Sequence, residues 1–558
     1  MRKQNVLLLA SSALSFAVVG CKTTTPPNVE NIDTSKTQIY VRNYDGGYGS
    51  EWLSKIKDRF EAAHKDDVLE EGKKGVQVYI NNNKDTADAS STKILANRDE
   101  VIFTEQSSYF GLKSAGILAD ITDVVTEKLD GEDKSILDKM DDAQKSFYGI
   151  EENGEKHYYA LPHYSGYFGL TYNVDLFDKK GFYFAKNPLS TRLADKFINK
   201  TNIKKSDGPD GVSGTSDDGL PTTYDEFMEL CQYIVNSDCV PFLTNGKNSK
   251  DYLNLLVNSL ATNYEGKEEM SKVFTCEGTV NTLATIKDGA IALDENPTTL
   301  TTENGYETSR MAGKYYGIKF LSDIISNDRY YNKTKMTTAY SHTDAQRDFL
   351  YGGNDESTPQ YAMLSDGCWW ENEAKGIFEE MAGAKGESYS RMNRRFAFMP
   401  LPQPTKEKAD STKKTTLYDH LFSFCFMKAN VADYKKDIVK EFIKFCNTDT
   451  SLVEYTVTTN TPKALSYSMS EDDLSQMTYY GRSLYERKAN SDIVYPCVNT
   501  TFFANNQKKF HTNYQYQTSV NGKTNQYVIT GLTDEGYSAE TYFSGMYTYY
   551  KNEWKHYN

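Results

Sequence analysis

In the stretch DGCWWENEA, residues 366–374, Trp369 and Trp370 stand side by side between a Gly-Cys turn and an acidic helix start, in a chain of 558 residues with only four tryptophans. An indole is a large apolar surface with one polar handle, and it is costly to expose without a use. Glu371 and Asn372 follow directly. Flat apolar rings thus lie next to a planar carboxylate and a planar amide, the two kinds of group that ligand pockets combine. Adjacent residues point in different directions, so one indole is expected in a cleft and the other packed in the surrounding lobe. Both indoles in the core is the alternative.

A second cluster is acidic. SDGPDGVSGTSDDGLPTTYDEF, residues 206–227, sets Asp207, Asp210, Asp217, Asp218 and Asp225 among four glycines. Crowded carboxylates repel unless neutralised, and glycines let a chain wrap an ion, which is how calcium loops gather about six to eight oxygens. The EF-hand register does not fit, because with Gly219 at the turn position the first ligand would be Gly214. A structural Ca2+ held by Asp207, Asp210, Asp217 and Asp218 is the expectation, against a solvated acidic turn.

Catalytic signatures are missing. No GxSxG, HExxH, P-loop or dinucleotide fingerprint occurs, and the seven histidines are scattered. Seven cysteines lie beyond Cys21 without CxxC spacing, which indicates neither a dense disulfide framework nor a zinc site. A bridge between Cys231 and Cys239 is the one local pairing to consider. With 63 basic against 77 acidic residues the net charge is −14, which disfavours nucleic acid as a partner and suits a neutral or cationic ligand. The 42 tyrosines offer flat faces with a hydroxyl at low side-chain entropy, the combination recognition surfaces use.

The elements that must position these groups begin after an export segment. Arg2 and Lys3 precede the apolar run Val6–Val19, and Val18-Val19-Gly20-Cys21 at its end resembles a bacterial lipobox, so residues 1–21 read as a lipoprotein signal with Cys21 as the lipid-bearing residue, against an ordinary secretory signal with a chance Cys. Residues 22–36 are a polar, Pro-containing tether. The ~520 residues that remain exceed one hydrophobic core, so at least two lobes are expected. TQIYVRNY reads as a strand, Ser50 to Ala63 as a helix with Trp52, Ile56 and Phe60 on one face, and GVQVYI and DEVIFTE as further strands. That alternation implies an α/β lobe with a mostly parallel sheet, which binds ligands beyond the carboxyl ends of its strands. It places Tyr44, Asp45, Gln106 and Tyr109 at a cleft edge. The Pro- and Gly-punctuated segment 158–182 suits a crossing between lobes and carries Tyr164 and Tyr167. Asn245 ends VPFLTN, where a polar loop would meet the cleft. Thr222 or Thr223 caps a helix to Val235, HLFSFCFMKAN holds a buried strand, and Ile438, Phe442 and Phe445 share a helix face.

In order and spacing, these segments resemble the extracellular solute-binding lipoproteins of ABC importers, specifically their carbohydrate-binding group. The likeness is carried by the lipobox, IYVRNYDGGYGSEWLSKIKDRFEA, LPHYSGYFGLTYNVDLFDKKGF, PTTYDEFMELCQYI with VPFLTNG, YAMLSDGCWWENEA, FAFMPLPQP, LFSFCFMKANVADYKKDIVKEFIKF and SAETYFSGMYTYYKNEW. The resemblance implies a two-lobed periplasmic-binding-protein-like α/β fold, with residues 37–163 plus 418–470 in one lobe and 164–417 plus 471–558 in the other. It implies hinge closure over a ligand and delivery to the transmembrane permease subunits, by a monomeric receptor and not an enzyme. Its seat would be the extracytoplasmic face of the bacterial cell membrane, held there by the lipid anchor. Some polysaccharide-binding members carry a calcium loop in the corresponding lobe. A sugar ring has apolar C–H faces and a rim of hydroxyls, so Trp369, Trp370 and Glu371 supply both kinds of contact; Asp45, Tyr44, Gln106, Tyr109, Tyr164, Tyr167 and Asn245 are the further contacts expected. A peptide- or other solute-binding receptor of the same class is the nearer alternative, and a secreted glycan-degrading enzyme the more distant one, since abundant carboxylates could furnish an acid and base pair.

Overall fold

The computed structural model describes residues 32–88, 91–246, 250–336, 339–354, 358–511 and 516–557. The signal, Cys21 and residues 22–31 of the tether lie outside the described residues. The end of the tether is already docked, because Asp33 N donates to Gln77 Oε1 at 2.8 Å and Lys74 N to Ser35 O at 2.9 Å.

Two sheets are built from β1 (Thr37–Tyr44), β2 (Val76–Asn83), β3 (Val101–Thr104), β4 (Leu161–Pro162), β5 (Phe168–Asn173), β6 (Val240–Leu243), β7 (Tyr361–Gly367), β8 (Phe396–Met399) and β9 (Phe424–Met427). The first has the order β2-β1-β3-β9-β4. Its β1 runs parallel to β2 and β3, and β9 enters antiparallel between β3 and β4. The second has the order β8-β5-β7-β6, with only β7 and β6 parallel. Mixed sheets of this kind arise when the chain returns to a lobe it has left, and β9 is such a return.

Helix α1 (Glu51–Ala63) buries Trp52, Leu53, Ile56 and Phe60 against the first sheet, and Phe60 meets Phe442 and Phe445 of the later helix Lys436–Phe445 at 5.1 and 5.3 Å. The helix Tyr224–Val235 starts at Thr223, whose hydroxyl accepts from Glu226 N while the Glu226 carboxylate accepts from Thr223 N, a reciprocal cap.

The chain passes from the first sheet to the second through residues 163–167 and returns through 419–423. A Cβ on Gly166 would stand 2.2 Å from Leu421 Cγ, so only glycine allows the two crossings to touch there. Asp419 ties them together. Its Oδ1 accepts from Gly166 N at 3.1 Å, Leu421 N at 3.1 Å and Phe422 N at 3.2 Å. Burial pushes this carboxyl up to about 6 in spite of the three donors. After the helix Asp449–Thr459 packs on α1, the chain reaches the second lobe again, where the helix Tyr479–Ala489 covers β8.

All seven described cysteines are buried free thiols, so Cys231 and Cys239 do not bridge. The acidic loop is held by local contacts. Asp207 turns to Lys186 Nζ at 2.7 Å, Asp210 accepts from Val212 N, Asp217 from Asp210 N and Thr215 Oγ1, and Asp218 from Gly214 N. The loop closes on its own N–H groups, and its four carboxylates point to different partners. Among the described residues no three His, Cys, Asp or Glu side chains gather where they could hold a metal ion.

Candidate functional site

A cleft of about 730 Å³ lies between the lobes, where the carboxyl ends of β1 and β3 face the end of β7 and the helix Asp251–Glu265. Its aromatic walls are Tyr44 and Tyr48 from the first lobe and Tyr252 and Trp369 from the second. Glu105, Gln106, Glu373 and Gln507 supply polar groups among them.

The turn after β7 places the tryptophans apart. Trp369, 7% exposed, lies in the cleft wall. A Cβ on Gly367 would stand 2.2 Å from its Cζ2 and a Cβ on Gly47 only 2.6 Å from its Cδ1, so the indole is laid between two glycines, one from each lobe. Tyr48, Tyr252 and Phe168 meet it edge-on at 6.4, 6.4 and 6.3 Å. Asn372 Nδ2 donates to Gly47 O at 2.9 Å, and Lys375 pairs with Glu51 at 3.1 Å, so the same turn also bridges the lobes.

Trp370 belongs to the core and is corrected as a contact. Its ring is fully buried among Phe349, Phe378, Phe396 and Tyr480. Glu371 is corrected as well: it is buried, 3.3 Å from Arg391 Nε, and accepts from Thr478 Oγ1 at 2.7 Å. The helical turn that starts at Trp370 carries both away from the cleft.

Tyr44 and Gln106 line the cleft. Gln106 is exposed there with a left-handed φ of 50°, which lifts it out of the line of β3. The other expected contacts do not reach the cleft wall. Asp45 stays in the turn after β1, its N–H on Asn83 O. Tyr109 opens a short helix capped by Ser108 and turns inward, where its hydroxyl donates to Tyr148 O at 3.0 Å. Tyr167 is fully buried in the crossing, and Asn245 is buried with Nδ2 on Gly246 O at 2.9 Å. Tyr164 stands behind the wall: its hydroxyl donates to Glu105 Oε1 and so holds a carboxylate that does face the cleft.

Sequence reasoning missed Glu105, Tyr48, Tyr252, Glu373, Phe422 and the helix Thr501–His511. Burial pushes the Glu105 carboxyl up to about 7, against the pull of the Tyr164 hydroxyl. Glu373 goes the other way. Burial would raise it, but His342, 3.4 Å away, and Gln346 Nε2, donating at 2.7 Å, bring it below its ordinary value. Gln346 Nε2 also donates to buried Asp366 at 2.9 Å, whose carboxyl is pushed up to about 7 by burial and by the charge of Glu373. Phe422, with a φ of 30°, stacks on His511 at 3.9 Å and closes the floor. The site can therefore offer ring edges, fixed acceptors and amide groups to a polar ligand with apolar faces.

Residues 46–314 match the bacterial extracellular solute-binding protein family. The fold is shared with solved structures. A chitin oligosaccharide binding protein aligns at 16% identity and a TM-score of 0.54, covering 93% of this chain and 99% of that one. RafE in complex with raffinose aligns at 14% identity and 0.50, with the same coverage. The apo form of RafE from Streptococcus pneumoniae aligns at 14% identity and 0.51, covering 94% and 99%. No curated protein matches the chain. Among the described residues no helix is long and apolar enough to cross a membrane.

Proposed function

We propose that this chain, an extracellular solute-binding protein by the pattern of residues 46–314, captures an oligosaccharide between its lobes and presents it to the permease of an ABC importer. The observation that carries the reading is the composition of the interlobe cleft. Four aromatic rings, Tyr44, Tyr48, Tyr252 and Trp369, share one hollow with Glu105, Gln106 and Glu373. Rings suit the C–H faces of sugar units, and planar acceptors and amides suit their hydroxyls. The relatives in fold that bind chitin oligosaccharide and raffinose support the same class of ligand.

Capture proceeds by closure. The contacts of Gly47 with Trp369 and Asn372 belong to the lobes in their approached state. Separation of the lobes would uncover the indole, and return of the Gly47 turn would cover it with a ligand in place. The joined lobe faces would then dock on the permease. Cys21 would carry the lipid that holds this monomeric receptor on the outer face of the cell membrane. The reading includes no chemical step, so the sugar leaves unchanged.

A thermal-shift screen of the full chain against mono- and oligosaccharides, peptides and cations tests this. A ligand at about 100 times its Kd adds ~2.7 kcal/mol. A sugar hit that disappears in Trp369→Ala supports the reading. Shifts by peptides or cations alone would keep the receptor class and remove the carbohydrate assignment, and glycan cleavage would replace receptor by enzyme.

A further inference from the structure

A second hollow lies beside the cleft. Its volume of about 350 Å³ falls within the range of ligand pockets, roughly 300–1,000 Å³. It lies between the segment 111–117 of the first lobe and the helix Thr501–His511. The two spaces share four wall residues, Asp88, Ser108, Gln507 and Lys508. These meet in pairs at the neck: Ser108 Oγ donates to Gln507 Oε1 at 3.0 Å, and Lys508 Nζ stands 3.2 Å from Asp88 Oδ2.

The members of the ion pair are not equally held. Asp88 Oδ2 also accepts from Ser108 N at 3.0 Å and its side chain is 15% exposed, whereas that of Lys508 is 75% exposed. Water screens such a pair and the long lysine loses entropy in making it, so it is weak. A ligand that displaces Lys508 would find Asp88 in place as an acceptor held by Ser108 N. Beyond the neck, Leu112 and Ala115 form an apolar floor beside Ser91 and Asn505, and among the described residues of the wall there is no aromatic ring.

Resting on the sugar reading above, we infer that the neck is a passage. The aromatic cleft takes the recognised end of an oligosaccharide, and longer ligands run past Lys508 into the second hollow, where further sugar units are held by hydrogen bonds and not by stacking. The receptor would then select for length as well as for the sugar it stacks.

The test is calorimetry on the full chain with β-1,4-linked N-acetylglucosamine oligomers from dimer to hexamer, and with raffinose and its galactosyl-extended tetrasaccharide. Ala504→Trp and Ala115→Trp fill the second hollow from opposite walls without touching the main cleft, so failure of one to fold leaves the other. The expected result is an affinity gain of about tenfold with length, on the scale of one or two added hydrogen bonds, that either variant abolishes while short-oligomer affinity is kept. Short sugars that bind with no gain for longer ones, or a gain that survives a folded variant, would overturn the passage and leave the receptor reading intact. If neither series binds at any length, the sugar reading falls and the passage with it.

Discussion

Trp369 lies directly on Gly47 across the interlobe cleft, close enough that a Cβ on the glycine would stand 2.6 Å from the indole Cδ1. Gly47→Ala is therefore expected to oppose closure while leaving each lobe intact. Overpacking of this kind costs roughly 1–3 kcal/mol, so sugar affinity should fall about tenfold or more with little change in the ligand-free melting temperature. Titration of the variant beside wild type checks it; unchanged affinity would remove the contact from the closure mechanism.

The adjacent tryptophans should fail in different ways. Trp369→Ala removes a ring from the cleft wall and should weaken binding by about 2 kcal/mol or more, roughly 30-fold, with modest loss of stability. Trp370→Ala empties a fully buried site among Phe349, Phe378, Phe396 and Tyr480 and should cost about 3–5 kcal/mol of stability. Denaturant midpoints and ligand titrations on both variants separate the two effects.

Glu105 makes stability depend on pH. Its carboxyl rises from an ordinary 4.5 to about 7 through burial, so the folded chain holds this proton more tightly than the unfolded one. The contribution is fully present below the unfolded value and is lost as pH rises through the folded one, on the order of 3 kcal/mol for this group. Glu105→Gln keeps an acceptor for the Tyr164 hydroxyl and removes the charge. The variant should match wild type near about pH 4 and exceed it near about pH 8; parallel stability profiles would refute the assignment.

Chelation decides whether the acidic loop holds calcium. Asp207 pairs with Lys186 and Asp210, Asp217 and Asp218 accept from groups of the loop itself, so a melting temperature that EDTA leaves unchanged would leave the loop to these contacts alone. A drop on chelation that calcium restores would put an ion in the loop after all.

Much of the frame was legible because short-range patterns set it. The 3.6-residue spacing of Trp52, Ile56 and Phe60 places α1, the β-branched runs place β1 and β2, and Pro-Gly punctuation marks the crossing at 158–182. The site was legible only where a strand end leads straight into it, as at Tyr44 and Gln106. One helical turn was enough to bury Tyr109, Trp370 and Glu371. Tyr252 and Gln507 enter the cleft through the packing of whole helices, which no local spacing announces. Glu105 directly follows β3, and the left-handed backbone at Gln106, which no local pattern announces, lets both residues line the cleft.

The grip of Asp419 on Gly166, Leu421 and Phe422 has a mechanical meaning. One carboxylate oxygen holds N–H groups of the 163–167 and 419–423 crossings at once, so sliding one of these segments past the other would break its hydrogen bonds.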